Sequence, residues 1–220
     1  MRNNAIGLVF GLLFLIVLVL QAFAGLAQFN QQQVSAGLPE ISLLRYVTSA
    51  SFGTDVAENW QSEYLQFFVY TVLTVWLLQR GSPESKSLDK PGRESDEEQK
   101  VGDFAGPDSP KWARAGGWRT RIFSSSLGLV MGAIFLGSWL TQSIAGVAAF
   151  NEEQLSDRQD PVSWGQYLLE PDFWNRTLQN WQSELLAVAS IAILAIYLRQ
   201  RGSPQSKPVG SPHDATGVEG

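Results

Sequence analysis

The sequence predicts an all-α integral membrane protein: four transmembrane helices in two tandem, parallel helical-hairpin repeats, with short amphipathic helices in the outer loops. Three observations carry this prediction. Apolar residues are gathered into four long runs, with charge collected between and after them. Sliding the chain against itself by 121 residues aligns most of it. Lys and Arg are distributed one-sidedly about the runs.

The repeat organises everything else. Ile6-Gly7-Leu8-Val9 falls on Leu127-Gly128-Leu129-Val130, and Gln21, Ala24 and Gly25 fall on Gln142, Ala145 and Gly146. Phe29-Asn30, Tyr46 and Phe52 meet Phe150-Asn151, Tyr167 and Phe173. Asn59-Trp60-Gln61-Ser62-Glu63 returns as residues 180–184, and Gln79-Arg80-Gly81-Ser82-Pro83 as 200–204, each of the latter followed by Ser and Lys. Shared apolar composition would not place polar pentapeptides in register, so the pattern reads as a tandem duplication. It divides the chain into a first repeat over 1–86, a flexible linker with a basic juxtamembrane segment over 87–121, a second repeat over 122–207 and a disordered tail over 208–220.

The first run, Ala5 to Ala27, is apolar except for Gln21 and exceeds the roughly 20 helical residues a hydrocarbon core requires. Arg2 followed by an apolar stretch and Ala22-Phe23-Ala24 also resembles a cleavable secretory signal. The same pattern at Leu127–Ala149, far down the chain, favours a retained helix. The second run, about Trp60 to Gln79, is short, so its polar opening must reach into the interface; the fourth, Trp181 to Leu198, is built alike. In the outer loops, Ile41, Leu44, Tyr46 and Val47, or Trp164, Tyr167 and Leu168, supply an apolar face for a short interfacial helix. Asp160-Pro161 suits its start, and Ser51 and Asp172 suit the cap of the next helix.

Nine of the sixteen basic residues lie between Arg80 and Arg121, while the loop within each repeat is poor in them. The positive-inside bias therefore places the linker and both termini on the cytoplasmic side. Two spans per repeat make the repeats parallel, related by a pseudo-two-fold axis along the membrane normal. The linker, Gly/Pro/Ser-rich with mixed charge, cannot bury a core. Beyond it, Lys111, Arg114, Arg119 and Arg121 stand with Trp112 and Trp118, a composition suited to anionic inner-leaflet lipid.

Candidate functional residues are the repeated polar ones. Asn59, Ser62 and Glu63, and their copies Asn180, Ser183 and Glu184, could form a polar cluster at the outer interface, joined by Gln21 and Gln142. They serve either as an interfacial helix start with Trp as a membrane-boundary anchor, or as a cation-binding pair of glutamates in the bundle. Gln21 requires a partner such as Glu63 or Gln66, and Gln142 one such as Glu184 or Ser183. Gly7 and Gly11, with Gly128 and Gly132, form small-residue notches for contact between the first and third spans or with a second copy. Gly81 and Gly202 suit helix C-caps, leaving the trailing Ser and Lys of those motifs for lipid phosphates or a cytoplasmic partner.

Exclusions follow from composition. The chain has no Cys and one His, His213, so thiolate metal sites, disulfides and Ser-His triads are not expected. No metal-ligand spacing, phosphate loop or cofactor motif is present, and a net charge of −5 argues against nucleic acid. The doubled Asn-Trp-Gln-Ser-Glu, the doubled Gln-Arg-Gly-Ser-Pro-x-Ser-Lys and Ser126-Leu-Gly-Leu-Val130 resemble a family of small bacterial multi-pass membrane proteins known only as a domain of unknown function. The resemblance implies no activity, substrate or catalytic residue. The expected role is a membrane scaffold or partner-binding protein, the homo-oligomer included; a small channel or transporter lined by the repeated Glu and Gln is the alternative, and an enzyme is the least supported.

Overall fold

The computed structural model describes residues 4–218, and among them there are helices and turns but no strand. Eight α-helices follow in order: α1 (Ala5–Ser35), α2 (Leu43–Val47), α3 (Ala50–Leu73), α4 (Lys111–Arg114), α5 (Gly117–Ser124), α6 (Ser126–Ser156), α7 (Trp164–Tyr167) and α8 (Pro171–Tyr197). Three of them, α1, α6 and α8, are long and apolar enough to cross a membrane. At 1.5 Å per residue, the 31-residue α1 and α6 extend about 46 Å, so both outrun the apolar core.

The second run departs from expectation. Instead of continuing to Gln79, α3 ends at Leu73, and the apolar residues 74–78 form a turn and extended chain. Gly92 N–H, returning from the linker, takes the Val75 carbonyl at 2.8 Å and removes a helical acceptor, while the Thr74 hydroxyl bonds back to the Tyr70 carbonyl at 2.6 Å. At the corresponding positions α8 carries Ala195 and Ile196 and remains helical through Tyr197. Shortened in this way, α3 carries its charged opening without the apolar end that would offset it, and it is not among the membrane-length helices.

The chain forms two compact units, one comprising residues 4–59 with 138–175 and the other 60–137 with 176–218. The first holds two corners built alike. Near the end of α1, Asn30 Nδ2 donates to the Ile41 carbonyl at 3.1 Å and Asn30 Oδ1 accepts from Ile41 N–H at 2.8 Å. Near the end of α6, Asn151 makes the same pair with Val162, at 2.9 and 2.8 Å. Each helix closes with a 6→1 bond, Leu38 N–H to Gln33 O and Gln159 N–H to Gln154 O, both 2.8 Å. The left-handed residue of that turn is Gly37 (φ +74°) in one corner and Arg158 (φ +60°) in the other.

After the turn, Ser42 caps α2 and Ser163 caps α7, the latter completing a capping box with Gln166. The α7 cap is thus Ser163 rather than Asp160-Pro161. Tyr46, 3% exposed, packs between Phe29 and Phe52, and Tyr167, 0% exposed, between Phe150 and Phe173. Both phenols lie on glycines of the preceding long helix: a Cβ on Gly25 would stand 2.2 Å from the Tyr46 hydroxyl, and one on Gly146 2.6 Å from that of Tyr167. Only a residue without a side chain admits the ring there. The next helix is capped by Ser49, whose hydroxyl accepts from Phe52 N–H, rather than by Ser51; Asp172 instead accepts from the Tyr167 hydroxyl at 3.1 Å.

In the second unit, α6 lies against α3. A Cβ on Gly132 would sit 3.0 Å from the Phe68 ring, and one on Gly128 3.4 Å from Val72. The notch on α6 therefore receives the second apolar run, not the first, while Gly7 and Gly11 have nothing within 4 Å.

The Ser and Lys that trail each Gly-Ser-Pro motif have intrachain partners, which corrects their assignment to lipid or a partner. Ser85 Oγ accepts from Gln79 N–H and donates to the Lys86 carbonyl; Ser206 does the same with Gln200 and Lys207. Lys86 bonds the Gly92 carbonyl and Glu94. Lys207, 1% exposed, donates to the carbonyls of Gly81, His213, Ala215 and Pro212 at 2.6–3.3 Å. Composition predicts disorder after Lys207. The structure instead folds 208–217 onto the Gly81 turn, where Thr216 Oγ1 accepts from Gly81 N–H and Gly217 N–H reaches the Ser82 carbonyl.

Candidate functional site

The two Asn-Trp-Gln-Ser-Glu copies lie within continuous helices, the first in α3 and the second in α8. One turn advances about 100°, so three or four residues share a face. On α3 the face turned inward is Thr54, Ala57, Gln61 and Ser62, exposed by 5% or less. Asn59 and Glu63 point outward, so the grouping of Asn59, Ser62 and Glu63 on one face does not hold for the first copy.

On α8 the same five residues are oriented differently. Asn180, Trp181 and Glu184 are half-buried, and Gln182 and Ser183 are exposed. The two copies meet through residues outside the predicted cluster. Trp181 Nε1 donates to Gln61 Oε1 at 2.6 Å, and the Trp181 ring lies 6.2 Å from that of Phe135. The first copy's tryptophan, Trp60, is 41% exposed. Identical pentapeptides thus play different parts: in one, Gln and Ser turn inward; in the other, Trp does.

The remaining polar residues satisfy themselves locally. Asn59 Nδ2 donates to Asp55 O at 2.7 Å, Asn180 Nδ2 to Arg176 O at 2.9 Å, and Ser183 Oγ to Asn180 O at 2.8 Å. Such back-bonding to the preceding turn needs no partner helix. Glu63 is close enough to Glu184 for their like charges to oppose each other.

Gln21 is half-buried and Gln142 fully buried. The pairing expected for Gln142 is not made: its Oε1 and Nε2, like Gln61 Nε2, have no hydrogen-bond partner among the described residues. An unpaired buried amide is costly in an apolar surrounding. Ser143 beside it is occupied, accepting from Trp164 Nε1 at 3.1 Å and donating to the Leu140 carbonyl. Among the described residues no group of three or more His, Asp or Glu could hold a metal ion.

Sequence reasoning passed over Gln61 and Trp181 because both copies contain both residues, and nothing within the pentapeptide says which face is inward. The small and polar spacing Thr54, Ala57, Gln61 on α3 is the signal that could have indicated it. The α8 counterparts of the first two, Asn175 and Leu178, break the pattern.

No curated protein and no solved structure matches this chain. Residues 1–218 match the model of a family described as a domain of unknown function (DUF6766), and the chain belongs to that family.

Proposed function

We propose that the protein is a membrane scaffold or partner-binding protein of the bacterial cytoplasmic membrane, made of two tandem parallel helical hairpins that cross four times. The observation that carries this reading is the Trp181–Gln61 hydrogen bond: the most specific repeated motif is used to pack α8 on α3, not to line an opening. The packing of Gly128 and Gly132 on Val72 and Phe68 supports α3 as the second crossing, since it runs beside a membrane-length helix. The same contacts recurring 121 residues apart in the outer corners support the duplication. The excess of Lys and Arg between α3 and α6 supports cytoplasmic termini.

The face offered to a partner is α1. Gly7 and Gly11 are open, and Ile6, Leu8, Phe10 and Leu12 are 60–76% exposed. The docked equivalent is α6, whose Gly128 and Gly132 are filled. A second reading, a small polar pathway, is favoured by the buried Gln142 amide, which has no hydrogen-bond partner among the described residues.

Proteoliposome flux of ions and small neutral solutes separates the two. The scaffold reading expects no flux above protein-free vesicles, and a photo-crosslinker at position 8 or 12 in native membranes to give one discrete adduct. Flux that is lost in Glu63→Gln/Glu184→Gln or Gln142→Leu overturns it. Because the chain lacks Cys, single-cysteine labelling reads the topology directly. Gln159→Cys should react from outside and Ser95→Cys only from the cytoplasmic side; outside reaction of Ser95→Cys would reduce the spans to three.

A further inference from the structure

The segment that leads into α6 is folded for a purpose its intrachain contacts do not explain. Two short helices, α4 and α5, meet at a corner made by Gly116 (φ +68°) and Gly117 (φ +60°). Both lie in the left-handed region, where side chains are strained and glycine is not. The corner brings Trp112 and Trp118 edge to face, with ring centres 6.1 Å apart. Thr120 hydroxyl ties the two helices by donating to the Trp112 carbonyl at 2.8 Å, and Arg119 lies 5.5 Å over the Trp118 ring. Yet both indoles remain 44% and 61% exposed, and Ile122 and Phe123 at the end of α5 are 43% and 39% exposed. The fold holds an aromatic pair together and leaves it uncovered.

Its charge is equally unmatched. Lys111, Arg114, Arg119 and Arg121 form no ion pair among the described residues, and no Asp or Glu occurs from 109 to 151. The acidic linker upstream does not supply the counterions: Glu94 pairs with Lys86 and Glu98 with Lys90 at 3.1 Å, and among the described residues none of its carboxylates forms an ion pair with these four cations. Two residues after α5, the membrane-length α6 begins. Four cations and two exposed indoles at the start of a membrane-length helix match a headgroup layer. There, each Lys or Arg gains about 1 kcal/mol from an anionic surface, and indole rings take the boundary between water and hydrocarbon.

We propose that α4 and α5 dock on anionic phospholipid headgroups, with Trp112 and Trp118 in the interface and Lys111, Arg114, Arg119 and Arg121 on phosphates. This inference rests on the membrane placement of α6 but not on the sidedness of the linker. Symmetric vesicles present the same lipid on both faces, so its failure is distinguishable from failure of the topology.

The test uses the full chain, labelled at Ala115→Cys with a polarity-sensitive fluorophore and reconstituted into vesicles of zwitterionic lipid or of zwitterionic lipid with about one-third phosphatidylglycerol. The expected result is a blue shift in the anionic vesicles that high salt reverses. It should be lost on changing the four basic residues to Gln and retained when Lys111 becomes Arg and the three Arg become Lys. The retained variant controls for folding. Identical emission in both lipids, or a shift that survives the Gln changes, overturns the proposal. A shift absent with anionic lipid but produced by soluble polyglutamate would instead assign the surface to an acidic protein partner.

Discussion

Asn30 reads both backbone groups of Ile41 across the corner between α1 and α2, accepting from its N–H at 2.8 Å and donating to its carbonyl at 3.1 Å. Asn151 treats Val162 in the same way. An amide carries an acceptor and a donor on two neighbouring atoms, matching an extended residue's N–H and C=O; an ionised carboxylate only accepts, and a hydroxyl must do both through a single atom. Asn30→Asp and Asn151→Asp keep the shape but turn the donor into an acceptor facing a carbonyl. Each should cost about 1–3 kcal/mol, read as a lowered thermal midpoint in detergent micelles. Unchanged midpoints would show that the clamp carries no stability.

Gly37 and Arg158 hold the same left-handed turn position, and only the first suits it. Arg158→Gly should stabilise the protein by about 0.5–1 kcal/mol, and Gly37→Arg should destabilise it by a similar amount. A midpoint that falls on Arg158→Gly would mean the arginine side chain contributes more than its backbone costs.

The Trp181–Gln61 bond predicts coupling. Trp181→Phe leaves Gln61 with neither amide atom paired, whereas Gln61→Leu removes the buried amide altogether. The first change should cost about 1–2 kcal/mol and the second less, with a non-additive double variant. A double-mutant cycle of unfolding midpoints measures this; strict additivity would show that the bond is energetically idle.

Lys207 predicts an exposed tail when it is removed. Its ammonium organises four carbonyls about the Gly81 turn, while burial and the Arg199 charge hold its pKa below the usual lysine range. Lys207→Met should free residues 208–217 to hydrogen exchange and proteolysis without altering the outer corners. Protection that persists in this variant would leave Thr216 and His213 as the holding contacts.

Tyr46 gives a pH dependence with a definite sign. Burial first, and then the nearby Asp55, raise its phenol above the ordinary value. A raised folded pKa stabilises the protein fully below the unfolded value of about 10, and that contribution is lost as pH rises beyond it. Stability measured above that value should therefore fall more steeply in the wild type than in Tyr46→Phe, which has no proton to lose there. Equal slopes would contradict the assignment.

Much of this was legible in the chain. Helical class, membrane-length α1, α6 and α8, and both outer corners follow from apolar length and from a repeat that aligns Asn30 with Asn151 and Tyr46 with Tyr167. The partner of each was not legible. Ile41 and Val162 are unremarkable residues, and only the returning chain brings their backbone to the asparagine. The premature end of α3 was hidden because residues 74–78 are apolar enough for a span, whereas the hydrogen bond from Gly92 N–H to the Val75 carbonyl depends on where the linker runs.

The sequence by itself determined where apolar length suffices to cross a membrane, because that is a sum over consecutive residues, and which residues recur, because that is a comparison of letters. Only the tertiary structure decided what each copy of Asn-Trp-Gln-Ser-Glu does. Gln61 and Ser62 face inward on α3, and Trp181 faces inward on α8, because the surroundings of the two pentapeptides differ while the pentapeptides themselves do not. A helix face has no inside until something packs against it.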